Sequence, residues 1–285
     1  MKRTRPSEIK ALLASRDIRP SRVLGQNFLV DGNILQIILE SAHVAEDDTV
    51  LEIGPGLGVL TEPLLARAGR VIAIEKDPRL AAYLREAFET TPHLTLIEGD
   101  AMEQDLSGLL QREAVTHVIS NLPYSAGTRI LMELIESEAR PLRIVVMLQQ
   151  DVADRLTASP GNKAYGIAGI FAQLHYDVVL RKIVAPTCFY PPPDVRSALV
   201  EFYRRAAPVE PVHDLIQFRE VVKWCFSQRR KQLGRILHDA PLRIIPRKRE
   251  TDAALDDVGL RPDQRPESVT VAEWVRLANR FGGKA

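Results

Sequence analysis

Cysteine is nearly absent. Cys188 and Cys225 are the only two in 285 residues, far apart and in no metal-ligand spacing, which argues against a disulfide scaffold or a zinc site. Long apolar runs are missing too. No stretch of about 18 apolar residues is present to cross a bilayer. The charged opening MKRTRPSEIK is not followed by an apolar segment of signal-peptide length. These absences suit a reducing cytoplasm and a chain with no membrane segment. An excess of one charge is also lacking: 38 Lys and Arg stand against 37 Asp and Glu, a formal net charge of +1. Net charge by itself therefore does not suggest a nucleic-acid binder.

What is present is an uneven distribution of that charge. Residues 1–25 hold seven Lys/Arg against Glu8 and Asp17, a local charge of about +5. Residues 204–250 hold twelve against five acids, about +7. The two segments either converge on one polyanion or form separate solvated faces, and charge alone does not choose. With 45% hydrophobic and 26% charged residues, the composition is that of an ordinary globular protein with room for one large and one small domain.

Periodicity points to an α/β fold. Residues 31–45 open with Asp31 as a helix cap and continue at helical spacing. "TVLEIGPGLGVLTEPLLARA" reads as a buried strand from Val50 to Ile53, a glycine turn and a helix. "RVIAIEKDPRLAAYLREAF" repeats the unit, with strand 71–74 and then Asp77 and Pro78 as cap and first helical residue. A third strand ends in Asp100, a fourth is "THVISNLPY", and a fifth, "RIVVMLQ", runs into a helix. Two more strands flank a proline-rich turn with no helix between them, so one of them is expected to be an antiparallel edge. Alternation over 45–155 implies right-handed βαβ crossovers. The expectation is a doubly wound, mostly parallel sheet of about seven strands over residues 1–205, and a helical domain over 206–285. Helices are expected near 212–238 and 270–281, the latter opened by a Thr270/Glu273 capping box.

The glycine turn, Glu52 to Gly58, sits where bare backbone meets a cofactor. A lone glycine pattern is weak evidence, since plain turns and NAD enzymes share it. Spacing strengthens it: Glu75 ends the next strand 21 residues after Gly54, placed to accept both ribose hydroxyls, and Asp100 ends the third strand in the same crevice. The pattern is Gly-x-Gly-x-Gly rather than Gly-x-Gly-x-x-Gly, with Val59 where a dinucleotide fold wants glycine and no basic residue near to meet a phosphate. Ribose and adenine without a phosphate mean S-adenosylmethionine.

"HVISNLPYSAG" (117–127) then joins a strand end to an amide, a rigid ring and an aromatic. Turn chemistry alone explains Asn and Pro in many loops. Beside a cofactor crevice, however, the Asn121 amide oxygen and the Leu122 carbonyl offer two acceptors to an exocyclic NH2. Pro123 donates nothing that competes. Tyr124 supplies a stacking face. The stretch suits methylation of an adenine amino nitrogen, with no metal required.

"LGQNFLVD", "LEIGPGLGVLTEPL", "VIAIEKD", "GDAM", "NLPY", "PTCFYPPPDVRSALVEF" and "FSQRRKQL" occur in that order. Together they closely resemble the bacterial small-subunit ribosomal RNA adenine dimethyltransferases, over residues from about 20 to 280. The resemblance implies a Rossmann-like class I S-adenosylmethionine methyltransferase sheet. It implies N6,N6-dimethylation of two adjacent adenines near the 3′ end of 16S ribosomal RNA, by a monomer acting on a small-subunit assembly particle. By motif, Asn27, Leu29, Gly54, Gly56, Glu75, Asp100, Ala101 and Asn121 would hold the cofactor. Asn121, Leu122, Pro123 and Tyr124 would hold the target, with Phe189 stacking opposite Tyr124, and Arg229, Arg230 and Lys231 would meet RNA phosphates. Ser125-Ala126-Gly127-Thr128-Arg129 departs from the family, which usually continues after Tyr124 with a β-branched residue and Ser/Thr-Thr-Pro. Rival readings are a large-subunit RNA methyltransferase, a DNA or protein-amide methyltransferase, and an assembly checkpoint whose binding matters more than catalysis.

Overall fold

The computed structural model describes residues 6–21, 24–245 and 248–282. Lys2, Arg3, Arg5 and Arg22 of the basic N-terminal arm, and Arg247 of the later basic segment, lie outside the described residues.

Nine strands occur among the described residues: β1 (Phe28–Leu29), β2 (Thr49–Ile53), β3 (Arg70–Glu75), β4 (Leu94–Glu98), β5 (His117–Asn121), β6 (Arg143–Gln149), β7 (Tyr176–Val184), β8 (Phe189–Tyr190) and β9 (Ser197–Arg204). Seven form one sheet in the order β4-β3-β2-β5-β6-β9-β7, while β1 and β8 pair as a separate antiparallel ribbon. β2 is parallel to both β3 and β5, β3 to β4 and β5 to β6. β2, β3, β5 and β6 are buried nearly throughout, which explains why they read as continuous apolar runs rather than alternating ones.

The sheet corrects one expectation. β9 is antiparallel to β6, yet it lies inside the sheet, and the edge is β7. The reason is burial: "SALVEF" is covered on both faces, whereas β7 turns Asp177, Arg181 and Lys182 to solvent. The third strand also stops at Glu98, and Asp100 instead caps a short 3-10 turn by accepting the Met102 N–H.

Capping chemistry starts the helices where the sequence predicts. Asp31 accepts from the Asn33 and Ile34 N–H groups before helix Gly32–Ala42. Asp77 caps helix Pro78–Ala87 with proline in its first turn. Thr270 and Glu273 form the reciprocal capping box of helix Val271–Phe281. Ile34 and Ile38 of the first of these helices belong to one apolar core with Val50, Ile119 and Met147 of the sheet. A second core joins Ile9 and Leu13 of helix Pro6–Ser15 to Phe28, Leu57, Leu80 and Leu84.

The chain forms two compact units. The first runs to Ala153 and takes in Val178–Arg204; the second contains Asp154–Asp177 and the residues from Arg205 onward. Residues 154–177, expected within the sheet domain, thus fold with the C-terminal helices. Their aromatic side chains account for this: Phe171 packs on Phe218 at 5.7 Å between ring centroids, and Tyr165 on Phe226 at 6.3 Å. The fully buried Tyr165 hydroxyl donates to the Val269 carbonyl (3.0 Å). The helical segment expected near 212–238 consists of two helices, Leu215–Ser227 and Leu233–His238, and Thr251–Val258 adds another. Among the described residues no helix is long and apolar enough to cross a membrane.

Candidate active site

β2 is the point where the sheet order reverses, since its chain continues to β3 on one side while β5 lies on the other. Open α/β sheets bind ligands outside the carboxyl ends of the strands at such a point. A cleft of about 1040 Å³, open solvent at its mouth included, lies there in the first unit, lined by the turns after β2, β3 and β5 and by residues 24–29.

The glycine turn is left-handed at all three glycines: φ is +69° at Gly54, +60° at Gly56 and +75° at Gly58. A Cβ at Gly56 would sit 3.1 Å from the Phe28 ring. The Gly54 N–H donates to the Ile74 carbonyl (2.9 Å) and the Gly56 N–H to Glu75 Oε2 (3.0 Å). Glu75 Oε1 accepts the Asp77 N–H (2.8 Å), so this buried acid spans the two turns. Burial raises its pKa despite those backbone bonds. Each oxygen keeps a further acceptor site for a hydroxyl. Asp100 differs: the Lys76 ammonium, 2.6 Å away, and the Met102 N–H lower its pKa. Gly54, Gly56, Glu75, Asp100 and Ala101 all line the cleft.

The segment after β5 converges on the same space. Asn121 Nδ2 donates to the Asn27 carbonyl (2.9 Å), which fixes the amide and leaves its Oδ1 with no partner among the described residues. Asn27 Nδ2 in turn donates to the Gly25 carbonyl (3.2 Å). The Leu122 N–H donates to Met147 O (3.3 Å), and no described residue donates to the Leu122 carbonyl. The Pro123 carbonyl accepts from the Ala126 and Gly127 N–H groups and so starts helix Gly127–Glu136. Tyr124 borders the cleft, half-buried, and its hydroxyl shares a hydrogen bond with Ser197 Oγ. Asn27, Leu29, Asn121, Leu122, Pro123 and Tyr124 therefore meet in one place.

Phe189 does not join them. It is 3% exposed, pairs with Leu29 in the β1–β8 ribbon, packs in the core under helix Gly32–Ala42 and does not line the cleft. Its ring faces are covered, because apolar burial outweighs display of a free aromatic there. The basic run also differs from expectation, lying on a turn between two helices rather than on a helix face. Arg229 Nε is 2.7 Å from Glu267, and its Nη2 donates to the Lys163 carbonyl (2.6 Å), so it ties segments of the second unit together. Arg230 is exposed with no partner among the described residues, and Lys231 is exposed, its Nζ donating to Gln228 Oε1 (2.6 Å) and lying 3.9 Å from Asp239.

Three groups in or beside the cleft escape a motif reading. Lys76 aligns Asp100, Ser197 anchors Tyr124, and Glu52 lies 1% exposed at the end of β2, accepting the Thr61 hydroxyl proton (2.7 Å). Only Glu52 had a local signal, its place as the first residue of the glycine turn. Burial pushes its pKa from the ordinary 4.5 up to about 8. Between those values the folded chain keeps a proton that the unfolded chain has lost, so stability falls as pH rises through that window. Glu52→Gln removes the penalty and keeps an acceptor for Thr61. Its thermal midpoint is expected to exceed the parent's at pH 8 and to match it at pH 4.5. Equal shifts at both pH values in differential scanning fluorimetry would refute this account of Glu52.

The donor set selects a class of ligand. Glu52, Glu75 and Asp100 supply acid and acceptor groups, and Lys76, the one cation lining the cleft among the described residues, is already paired. None of these lining groups is a free cation for a phosphate, and the left-handed glycines admit close approach. A nucleoside with a cationic tail fits, as S-adenosylmethionine does; a pyrophosphate does not. Among the described residues no group of three or more His, Cys, Asp and Glu is arranged to hold a metal ion.

Known proteins resemble this chain over nearly its whole length. "Ribosomal RNA small subunit methyltransferase A" of Geobacter metallireducens is 41% identical over 272 residues, 94% of this chain and 98% of the relative. The protein of the same name from Geobacillus thermodenitrificans is 38% identical over 280 residues, 96% and 95% of the two chains. Among solved structures, a dimethyladenosine transferase from Plasmodium falciparum shares the fold at TM-score 0.80, with 24% identity over 89% of this chain and 97% of the other. The 23S rRNA methyltransferase ErmE aligns at TM-score 0.68, with 27% identity over 90% of this chain and 100% of the other. The sheet is thus the Rossmann-like sheet of the class I methyltransferases. Since the family described as "Ribosomal RNA adenine dimethylase" also matches residues 19–282, the chain belongs to the ribosomal RNA adenine dimethylase family.

Proposed function

We propose that the protein is an S-adenosylmethionine-dependent enzyme that converts two adjacent adenines near the 3′ end of 16S ribosomal RNA to N6,N6-dimethyladenine. One observation carries the reading: the Asn27 carbonyl occupies the Asn121 amide NH2, so the acceptor oxygen at the end of β5 is fixed and unpartnered beside the cleft. An adenine N6 is both the donor that this acceptor wants and the nucleophile to be methylated. The small-subunit name of the 38–41% identical relatives favours 16S RNA over the large-subunit substrate of the more distant ErmE.

Glu75 would hold the ribose hydroxyls of the cofactor, Asp100 and the neighbouring Ala101 its adenine, and Gly54 and Gly56 the close approach of its tail. When bound, S-adenosylmethionine supplies a methyl group already activated on a sulfonium. Asn121 Oδ1 and the Leu122 carbonyl accept the two N6 hydrogens, orient the lone pair and stabilise the positive charge that grows on N6. Tyr124 stacks the base, which must first leave its helix. N6 then loses one proton to water. Monomethyladenine retains one N–H, so a second round uses one of the same two acceptors.

The RNA is expected to be read as part of a small-subunit assembly particle in the cytoplasm, by a monomer. Arg230 and Lys231, rather than the tethered Arg229, are the cations of the basic turn available to phosphate. The test is incubation with labelled S-adenosylmethionine and small-subunit particles lacking the modification, followed by nucleoside analysis. N6,N6-dimethyladenine in 16S RNA is the expected product, and label absent from adenine would overturn the reading. In the same particles, Arg230→Gln/Lys231→Gln should reduce the steepness of the salt dependence of binding, by about 0.7–0.9 in log–log slope for each phosphate no longer neutralised. Arg229→Gln should lower stability instead.

A further inference from the structure

We propose that Ser197 is a positioning residue for methyl transfer, holding the far end of the Tyr124 ring by its hydroxyl and so keeping the ring in the place where it stacks the target base. The inference rests on the methyltransferase reading above. Tyr124 sits on the loop after β5, half-buried, and its side chain can swing between staggered rotamers about the Cα–Cβ bond unless its far end is held. Its far end is fixed from elsewhere. Ser197 is fully buried at the first residue of β9 and is held opposite Gln149 by the β6–β9 ladder. The serine therefore has little freedom of its own, and the bond between the two hydroxyls transfers that rigidity to the ring.

Two consequences follow. The Tyr124 hydroxyl is turned toward a buried serine, so the tyrosine meets the substrate with its ring face. The two residues that meet the base are also held by distant segments that are joined to each other. Asn121 is held by Asn27, 94 positions away, and Tyr124 by Ser197, 73 positions away. The strand that follows Asn27 pairs with the strand that precedes the Ser197 loop, Phe28 opposite Tyr190 and Leu29 opposite Phe189. The Val30 N–H extends that ribbon to the Cys188 carbonyl (2.8 Å). Acceptor and stacking face are thus braced by one frame.

The test uses the full chain, labelled S-adenosylmethionine and unmodified small-subunit particles, with Ser197→Ala, Tyr124→Phe and the double variant. Ser197→Ala and Tyr124→Phe should each lower kcat about tenfold, the factor that corresponds to one buried hydrogen bond of about 1.4 kcal/mol. The double variant should be no slower than either single one. KM for particles and cofactor affinity by calorimetry should stay within about twofold, a split that general loosening of the fold would not produce. Parental kcat in Ser197→Ala, or losses that multiply in the double variant, would overturn the proposal. If Ser197→Ala does not fold, Tyr124→Phe decides, since it keeps the ring and removes only the bond, and an unchanged kcat there is equally fatal. Failure of the unaltered protein to methylate adenine would instead bring down the methyltransferase reading on which the proposal stands.

Discussion

Asn121→Ala is expected to lose methyl transfer by about 100- to 1000-fold, the scale on which deleting one preorganised charge-stabilising hydrogen bond acts in other active sites. Two losses combine. The target N6 loses its side-chain acceptor, and the Asn27 carbonyl loses the amide that bonds it to the end of β5. Binding to ribosomal particles should stay within a few-fold of the parent, because phosphate contacts dominate affinity and Asn121 makes none. Asn121→Asp separates the two losses: it keeps an acceptor but sets a carboxylate against the Asn27 carbonyl, so it too should be slow. The measurement is methyl incorporation per bound particle at saturating cofactor. Near-parental incorporation by Asn121→Ala would sink the assigned role and leave Asn-Leu-Pro-Tyr as a structural turn.

Glu75→Ala is expected to weaken S-adenosylmethionine binding by roughly 1–3 kcal/mol, about 5- to 150-fold, through loss of charge-assisted bonds to the ribose. It also removes the acceptor for the Gly56 and Asp77 N–H groups, so the glycine turn itself should loosen. Glu75→Gln keeps an acceptor oxygen but puts an NH2 against one of the two N–H groups, and should fall between. Calorimetry with S-adenosylmethionine reads the loss directly, and NADH should show no binding to any of the three proteins. NADH binding without S-adenosylmethionine binding would contradict the ligand class argued from the cleft.

Much of this was legible in the chain. Buried parallel strands announce themselves as apolar runs, and Asp77-Pro78, Asp31 and Thr270/Glu273 mark helix starts by local capping chemistry. The three left-handed glycines and the acid 21 residues after Gly54 mark the crevice, since each is demanded by the backbone within one βαβ unit. Asn121 to Tyr124 is legible for the same reason: an amide, a rigid ring and an aromatic at a strand end are an unusual local combination. Where the reading failed, the cause lies at long range. Phe189 looks like a free aromatic before a proline turn until β8 pairs with β1 and the core closes over it. Arg229 looks like its neighbours until Glu267, 38 positions later, claims it.

By itself, the sequence determined the fold class, the crevice and the chemistry facing it, because periodicity, capping and turn conformation act within a few residues and are written there. Only the tertiary structure decided which residues are free to use that chemistry. It bound the Asn121 amide NH2 to the Asn27 carbonyl and left the amide oxygen as an acceptor, bound Tyr124 to Ser197, buried Glu52 until its carboxyl prefers a proton, and drew residues 154–177 into the helical unit. Those outcomes depend on pairing and burial between segments tens of residues apart, where neighbouring residues carry no trace of the partner that will arrive.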